Sequence, residues 1–107
     1  MEIDLVNWTR FKISLLKLNR LGLEVLLGEK IPSKLSVEVL LVGEKMMRQL
    51  NQKHRQVDRS TTVISFPQAP NPHHFLGTIV LCPVKIRKER KKFGFYFQHG
   101  LRNLITT

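Results

Sequence analysis

The chain is poor in cysteine, in acidic residues and in long apolar runs. Cys82 is its only cysteine, which excludes an internal disulfide and is typical of a reducing compartment. No stretch of about 18 uncharged apolar residues is present to cross a bilayer. The N-terminus, with Glu2 and Asp4, lacks the basic start of a secretory signal. We therefore expect a soluble, cytoplasmic protein without a membrane partner.

The shortage of acid leaves a large and uneven positive charge. Eighteen Lys and Arg against eight Asp and Glu give a formal net charge of +10. Residues 1–44 are neutral, whereas residues 45–107 hold twelve of the basic residues and only Asp58 and Glu89 as acids. A polyanion is the obvious partner, and polyanions inside cells are mostly nucleic acid. The alternative is a solvated basic surface without a dedicated ligand.

Hydrophobic patterning predicts a single domain, residues 1–107, of the α+β class. A chain of 107 residues is long enough for one core and too short for two. Apolar alternation predicts strands, and apolar spacing of three and four residues predicts helices. The strands are expected at 3–8, 35–42, 61–66 and 75–82, and the helices at 15–28, 44–53, 83–92 and 96–104. This order implies a small mixed four-stranded sheet packed with helices.

Several capping and turn residues refine these boundaries. Ser14 is a suitable N-cap for the first helix, and Pro83 suits the first turn of the third. Pro67 closes the third strand and marks it as an edge strand. The fourth strand is apolar enough to be central, and Gly77 within it indicates a close backbone approach. Gly94 is expected to stop the third helix.

His99 stands on the last predicted helix, where residues 99–105 read HGLRNLI. Side chains at i and i+4 share a helix face about 6 Å apart, so a pair of histidines at that spacing can bind one zinc ion. Asn103 occupies the i+4 position. The sequence therefore offers one imidazole of such a pair.

Three blocks of sequence carry a resemblance to a known family. Residues 50–67 read LNQKHRQVDRSTTVISFP, residues 76–80 read LGTIV, and residues 99–101 read HGL. In this order they resemble the YbeY family, metal-dependent endoribonucleases of rRNA maturation. The first block carries most of the weight because it is long, whereas a bare His-Gly pair has little value.

The resemblance implies an α+β domain with a zinc ion held by three histidines, an arginine facing the substrate, and a basic cleft for RNA. It gives His99 the first metal-ligand position and Arg55 the role of the catalytic and RNA-binding arginine. Asn103 replaces the second ligand, and the third would fall beyond Thr107. Thr62 and Thr78 stand where the family has aspartates. Zinc binding is therefore expected to be weak or absent, and a metal site rebuilt from His54, His73 or His74 is an unfavoured alternative.

A dense basic run supplies the predicted RNA-binding residues. Residues 85–92 read KIRKERKK, and on one helix their cations would form a continuous surface beside the presumed cleft. The predicted contacts, with Arg55, are Lys85, Arg87, Lys88, Arg90, Lys91 and Lys92. A solvated helix face is the alternative.

Three functions stay open at this point. The first is a YbeY-like protein with impaired cleavage, and the second is a non-catalytic module that binds RNA or ribosomal components. The third is a non-functional gene fragment, since the chain ends inside the motif helix and would leave apolar residues uncovered. Whether the protein is an enzyme is not decided by the sequence.

Overall fold

Four strands and four helices follow one another in the predicted order. The computed structural model describes residues 1–106, with elements β1 (Glu2–Asn7), α1 (Leu15–Gly28), β2 (Ser36–Leu41), α2 (Glu44–Arg55), β3 (Val63–Pro67), β4 (Phe75–Leu81), α3 (Pro83–Lys88) and α4 (Phe93–Ile105). Thr107, where the predicted domain ends, lies outside the described residues. Within the described part of the chain, each helix is too short or too polar to span a membrane.

The strands form one mixed sheet in the order β1-β2-β4-β3. β1, β2 and β4 are parallel, and β3 pairs antiparallel with β4. The α+β class, the mixed four-stranded sheet, the edge position of β3 and the central position of β4 are thus confirmed. Gly77 lies opposite Pro67 with φ +135°, and a Cβ there would overlap the carbonyl oxygen of Phe66. This position requires glycine, as the sequence predicted.

The two faces of the sheet pack against different helices. Successive side chains of a strand point to opposite faces, so β4 contributes Ile79 and Leu81 to one core and Val80 to another. The larger core lies beneath α1 and α4 and includes Leu18, Val39, Phe97 and Leu101, all fully buried. Burial of side chains of this size stabilises the fold by about 1.5–3 kcal/mol each.

The smaller core lies on the opposite face, beneath α2. It consists of Val42, Met47, Ile64, Val80 and Cys82, with Phe66 packed at its border. Because Ile64 and Phe66 belong to the edge strand, this core fixes β3 against α2. The end of α2 and the edge of the sheet are thereby brought together.

The predicted helix from Pro83 to Lys92 is wrong at its C-terminal end. α3 ends at Lys88, and Arg90 takes a left-handed conformation with φ +60°. Continuing the helix would stack like charges one turn apart, as between Arg87 and Lys91, and such pairs destabilise a helix. The six cations of the run therefore do not form one helical surface.

Gly94 does not stop a helix, contrary to the prediction. α4 begins at Phe93, with Lys92 as its N-cap, so Gly94 lies in its first turn. A Cβ on Gly94 would approach Leu21 Cδ1 of α1 to 2.9 Å. The glycine serves the close contact between α1 and α4, a tertiary cause that local sequence patterns do not report.

Candidate functional site

An open pocket lies between the end of α2, the edge strand β3 and α4. It encloses about 640 Å³ and is lined by His54, Arg55, Val63, Ile64, Ser65, Phe66, Pro67, His99, Asn103 and Thr106. We refer to it as the β3–α4 pocket. It joins the two residues that the sequence analysis singled out first, Arg55 and His99, which are 44 positions apart in the printed sequence.

The last turn of α2 presents Arg55 to the pocket. The helix ends because Gln56 adopts the left-handed conformation, φ +53°, and its amide bonds back to the carbonyls of Asn51 and Gln52. Asn51 is almost fully buried, and its Nδ2 donates a 2.9 Å hydrogen bond to the carbonyl oxygen of Arg59. This bond ties α2 to the segment that leads into β3. Arg55 therefore lies between two parts of the backbone that are held together, the end of α2 and this segment.

β3 and α4 are joined directly through Ser65 and Gly100. Ser65 Oγ donates a 3.0 Å hydrogen bond to the Gly100 carbonyl oxygen. A Cβ on Gly100 would lie 2.7 Å from Ile79 Cγ2 and 3.1 Å from Val63 Cγ2. Because Gly100 has no side chain, α4 can lie directly against the sheet next to His99, which lines the pocket.

The two histidines of the pocket have different neighbours. Nε2 of His99 lies 3.4 Å from Nδ2 of Asn103, one helical turn further along α4. The His54 ring packs edge-to-face on Phe66, with 4.8 Å between ring centroids. Both imidazoles are exposed to solvent, and each therefore has an edge open toward a ligand in the pocket.

The lining of the pocket favours an anion. Among residues 1–106, those that line it include Arg55 and two histidines and no carboxylate. Acidic groups near α2 are held in ion pairs elsewhere: Asp58 accepts both guanidinium bonds of Arg48, which lowers the pKa of Asp58. Glu44 accepts from Lys88 at 2.7 Å, and this bond lowers the pKa of Glu44.

The structure separates the basic run from this pocket. None of Lys85, Arg87, Lys88, Arg90, Lys91 and Lys92 is among its lining residues. Lys88 pairs with Glu44, and Arg87, Lys91 and Lys92 line a different groove together with Lys12 and Lys17. α3 ends at Lys88 and the chain turns at Arg90, which leads the run away from this pocket, and its contact with RNA stays a prediction.

Sequence reasoning gave little weight to His54, although it lies beside Arg55 in the longest motif block. The signal that the sequence offers for His54 is its position next to Arg55. Lys12 and Lys17 carried no signal at all, because some seventy positions separate them from Arg87 in the printed chain. His73 and His74 line a separate pocket at the other end of the sheet, with Glu2 and Ser36.

The residues around His99 do not supply a three-ligand metal site within the described part of the chain. No group of three His, Cys, Asp or Glu side chains comes together there. Thr78, at a position that the resemblance gives to aspartate, donates a 2.9 Å hydrogen bond to Glu38 Oε1 on β2. Its hydroxyl thus serves the sheet.

Comparison with known proteins identifies one family model and several curated relatives that carry the same name. The family model described as Endoribonuclease YbeY matches residues 7–106. Two relatives named Endoribonuclease YbeY, from Sulfurimonas denitrificans and Wolinella succinogenes, are 33% and 35% identical over 96 and 95 residues. These alignments cover 79% and 78% of this chain and 69% and 68% of the relatives.

A solved structure shares the fold. The solution structure of the Thermotoga maritima protein TM1509 superposes with a TM-score of 0.57 and is 26% identical, covering 96% of this chain and 66% of that one. The chain therefore spans about two thirds of the length of its relatives. With the family model matched over nearly the whole sequence and a relative one-third identical, the chain belongs to the YbeY endoribonuclease family.

Proposed function

We propose that this chain binds RNA in the β3–α4 pocket, as a member of its family in which metal-dependent cleavage is impaired. The observation that carries the proposal is the meeting of Arg55, His99 and Asn103 in one pocket. The arginine supplies a phosphate contact, and the asparagine takes the place of a metal ligand. The partner is proposed to be rRNA or ribosomal components, in the cytoplasm.

Arg55 suits phosphate recognition in this position. A guanidinium presents a planar fork of donors that pairs with two phosphate oxygens. The side chain at the end of α2 is exposed, and the described residues that line the pocket include no carboxylate to compete for its donors. His54 and His99 add hydrogen-bond donors or acceptors along the same wall.

The donor set around His99 fits a catalytic zinc ion poorly. Such a site ordinarily has three protein ligands and one open position. The pocket offers the imidazoles of His99 and His54 and the amide of Asn103, and a neutral amide oxygen is a weak zinc donor beside imidazole. When bound, zinc would supply an activated water and neutralise phosphoryl charge.

Zinc content tests the metal part of the proposal. Untagged protein purified without chelator is measured by inductively coupled plasma mass spectrometry beside His99→Ala. We expect far less than one zinc per chain in both proteins. A stoichiometric zinc that disappears in His99→Ala would contradict the incomplete site and restore a metal-dependent ribonuclease.

RNA binding and cleavage test the rest. We expect Arg55→Ala to weaken binding of an rRNA fragment by about 10- to 150-fold, because a hydrogen bond to a charged group contributes about 1.5–3 kcal/mol. Arg59→Ala is the matched control, since Arg59 is also exposed but does not line the pocket. Binding without cleavage would favour the non-catalytic module, whereas cleavage abolished by chelator and by His99→Ala would favour the active enzyme. Equal affinity of Arg55→Ala and wild type would remove Arg55 from the site.

A further inference from the structure

A second groove lies at the other end of α4, away from the β3–α4 pocket. It encloses about 400 Å³ and is lined by residues of the segments 11–21 and 83–94. We refer to it as the α1–α4 groove. It shares no lining residue with the first pocket, so a ligand bound here would make an independent set of contacts.

Three separate segments bring positive charge to this groove. Lys12 and Lys17 come from the segment that runs from the loop before α1 into its first turn, Arg87 comes from α3, and Lys91 and Lys92 come from the turn before α4. All five side chains are exposed, and no carboxylate is present among the lining residues that the structure describes. The nearest acid on α1, Glu24, accepts a 3.0 Å hydrogen bond from Gln98 Nε2. The cations therefore face the solvent without a neutralising partner in the groove wall.

The floor of the groove is apolar and partly aromatic. The rings of Phe11 and Phe93 stack with centroids 5.0 Å apart and an interplanar angle of 24°. Ile86 is buried beneath them, and Leu21 and Ile13 are half-buried at the sides. A charged rim around an aromatic floor is the arrangement by which proteins hold single-stranded nucleic acid, with phosphates on the cations and bases or sugars on the rings.

We propose that the α1–α4 groove is an accessory binding site for the sugar-phosphate backbone of single-stranded RNA. The inference rests on the proposed function, because it takes the RNA in the β3–α4 pocket to continue along α4. Lys88 and Glu44 stay outside the site, since they pair with each other. Lys91, which lines the groove, has its Nζ 4.4 Å from the ring centroid of Phe95, a residue outside the lining.

The test removes charge from the groove and from a matched surface. One variant carries Lys12→Gln, Lys17→Gln and Arg87→Gln. The control carries Arg20→Gln, Lys34→Gln and Lys45→Gln, which removes the same charge from exposed positions outside both sites. Fluorescence anisotropy measures the affinity for a labelled oligouridylate over a range of salt concentrations, with a thermal melt to establish that each variant is folded.

Counterion release sets the expected size of the effect. Each phosphate contact to a single strand contributes about 0.7 to the slope of log affinity against log salt. Relative to 1 M salt, each contact therefore contributes about fivefold to the affinity at 0.1 M salt. Losing one contact should lower the affinity about fivefold, and losing three should lower it about 100-fold. We expect losses in this range and a shallower slope for the groove variant, with the wild-type slope retained by the control. Crosslinking of a 4-thiouridine oligonucleotide to wild type should label residues 11–17 and 83–94.

Other outcomes overturn the proposal. Equal losses in both triple variants would mean a diffuse positive field, and absence of oligouridylate binding by wild type would leave no accessory site. If the groove variant loses affinity for an oligoglutamate peptide and keeps it for RNA, the groove binds an acidic protein segment. If Arg55→Ala weakens RNA binding and the groove variant does not, the groove fails while the proposed function stands. If only the groove variant weakens, the groove stands and the role of Arg55 fails.

Discussion

Asn103 and His99 face each other across one turn of α4, with 3.4 Å between Nδ2 of the asparagine and Nε2 of the histidine. This is the spacing at which two imidazoles bind one metal ion. The backbone of α4 thus places the 103 side chain where a second ligand would have to stand. The identity of one side chain, and not the path of the helix, limits this part of the site.

We expect Asn103→His to increase zinc affinity. The new imidazole would join His99 on the same helix face, at an exposed position with room for a larger side chain. A direct ligand should contribute at least the factor of about 10 to 100 that outer-shell partners contribute to metal affinity. Competition with a chromogenic chelator measures the effect. Asn103→Ala and the double variant His99→Ala/Asn103→His serve as controls, and equal gain in the double variant would contradict pairing of the two positions.

Gly100→Ala should destabilise the fold and widen the gap between α4 and β3. The new methyl would press on Ile79 Cγ2 at 2.7 Å and Val63 Cγ2 at 3.1 Å, both on stiff β-branched side chains. Overpacking of this kind costs about 1–3 kcal/mol, which exceeds the gain of about 1 kcal/mol from replacing a helical glycine. Urea denaturation measures the free energy of unfolding.

Gly28→Ala is the matched control for Gly100→Ala. Gly28 is the last residue of α1, and a Cβ there would meet no atom within 4 Å. Its replacement should leave stability unchanged or raise it slightly. If Gly100→Ala were as stable as Gly28→Ala, the close approach of α4 to the sheet would not depend on glycine.

Most of the fold follows from local pattern, and the two exceptions have different causes, one local and one tertiary. Alternating strands and the Ser14 cap are visible in the chain, and Ser14 does accept a 3.2 Å hydrogen bond from the Lys17 amide. The α3–α4 boundary was missed because repulsion among cations ended one helix early. Gly94 was misread because its purpose is contact with Leu21, 73 positions away in the printed sequence.

The candidate site was half visible in the sequence. Arg55 and His99 lie in recognisable motif blocks, and the structure brings both to one pocket. The α1–α4 groove was not visible, because its cations come from three segments that are joined only by the packing of α1 against α4. Counting charges along the sequence predicts a positively charged surface, but only the fold shows where that surface lies.

Asp58→Asn should lower the stability of the protein at neutral pH. In acid, wild type and variant should be equally stable. The bidentate pair with Arg48 lowers the pKa of Asp58 below its usual value of 3.8. A lowered pKa contributes stability that is present above the usual value and is lost as the pH falls through the folded value. The gap in Tm between wild type and variant should therefore close below pH 3.8.

Thermal melts at several pH values and salt concentrations test this expectation. The gap should also narrow at high salt, because both partners are exposed and the pair is screened. Asp4→Asn, at an exposed position on β1, is the control. A gap that persists unchanged into acid would mean that the Asp58 carboxylate does not stabilise the segment before β3.

Cys82 should be inert in the folded protein. The side chain is fully buried in the smaller core, and burial raises the pKa of the thiol above its usual value of 9.0. The reactive thiolate is therefore scarce, and a reagent reaches it only when β4, α2 and α3 separate. Iodoacetamide labelling at neutral pH should be slower than in urea by at least about 10³-fold, which follows from a global stability of 5 kcal/mol or more.

The raised pKa of Cys82 also predicts how stability changes at alkaline pH. The stability contributed by the neutral thiol is complete below pH 9.0 and is lost as the pH rises through the pKa of Cys82 in the folded protein. A matched reporter is Cys82→Ala/Val84→Cys, because Val84 is 43% exposed two positions further on. That thiol should label at nearly the unfolded rate. Rapid labelling of Cys82 itself in the wild type would mean that the core beneath α2 opens readily, and with it the support that holds Arg55 at the β3–α4 pocket.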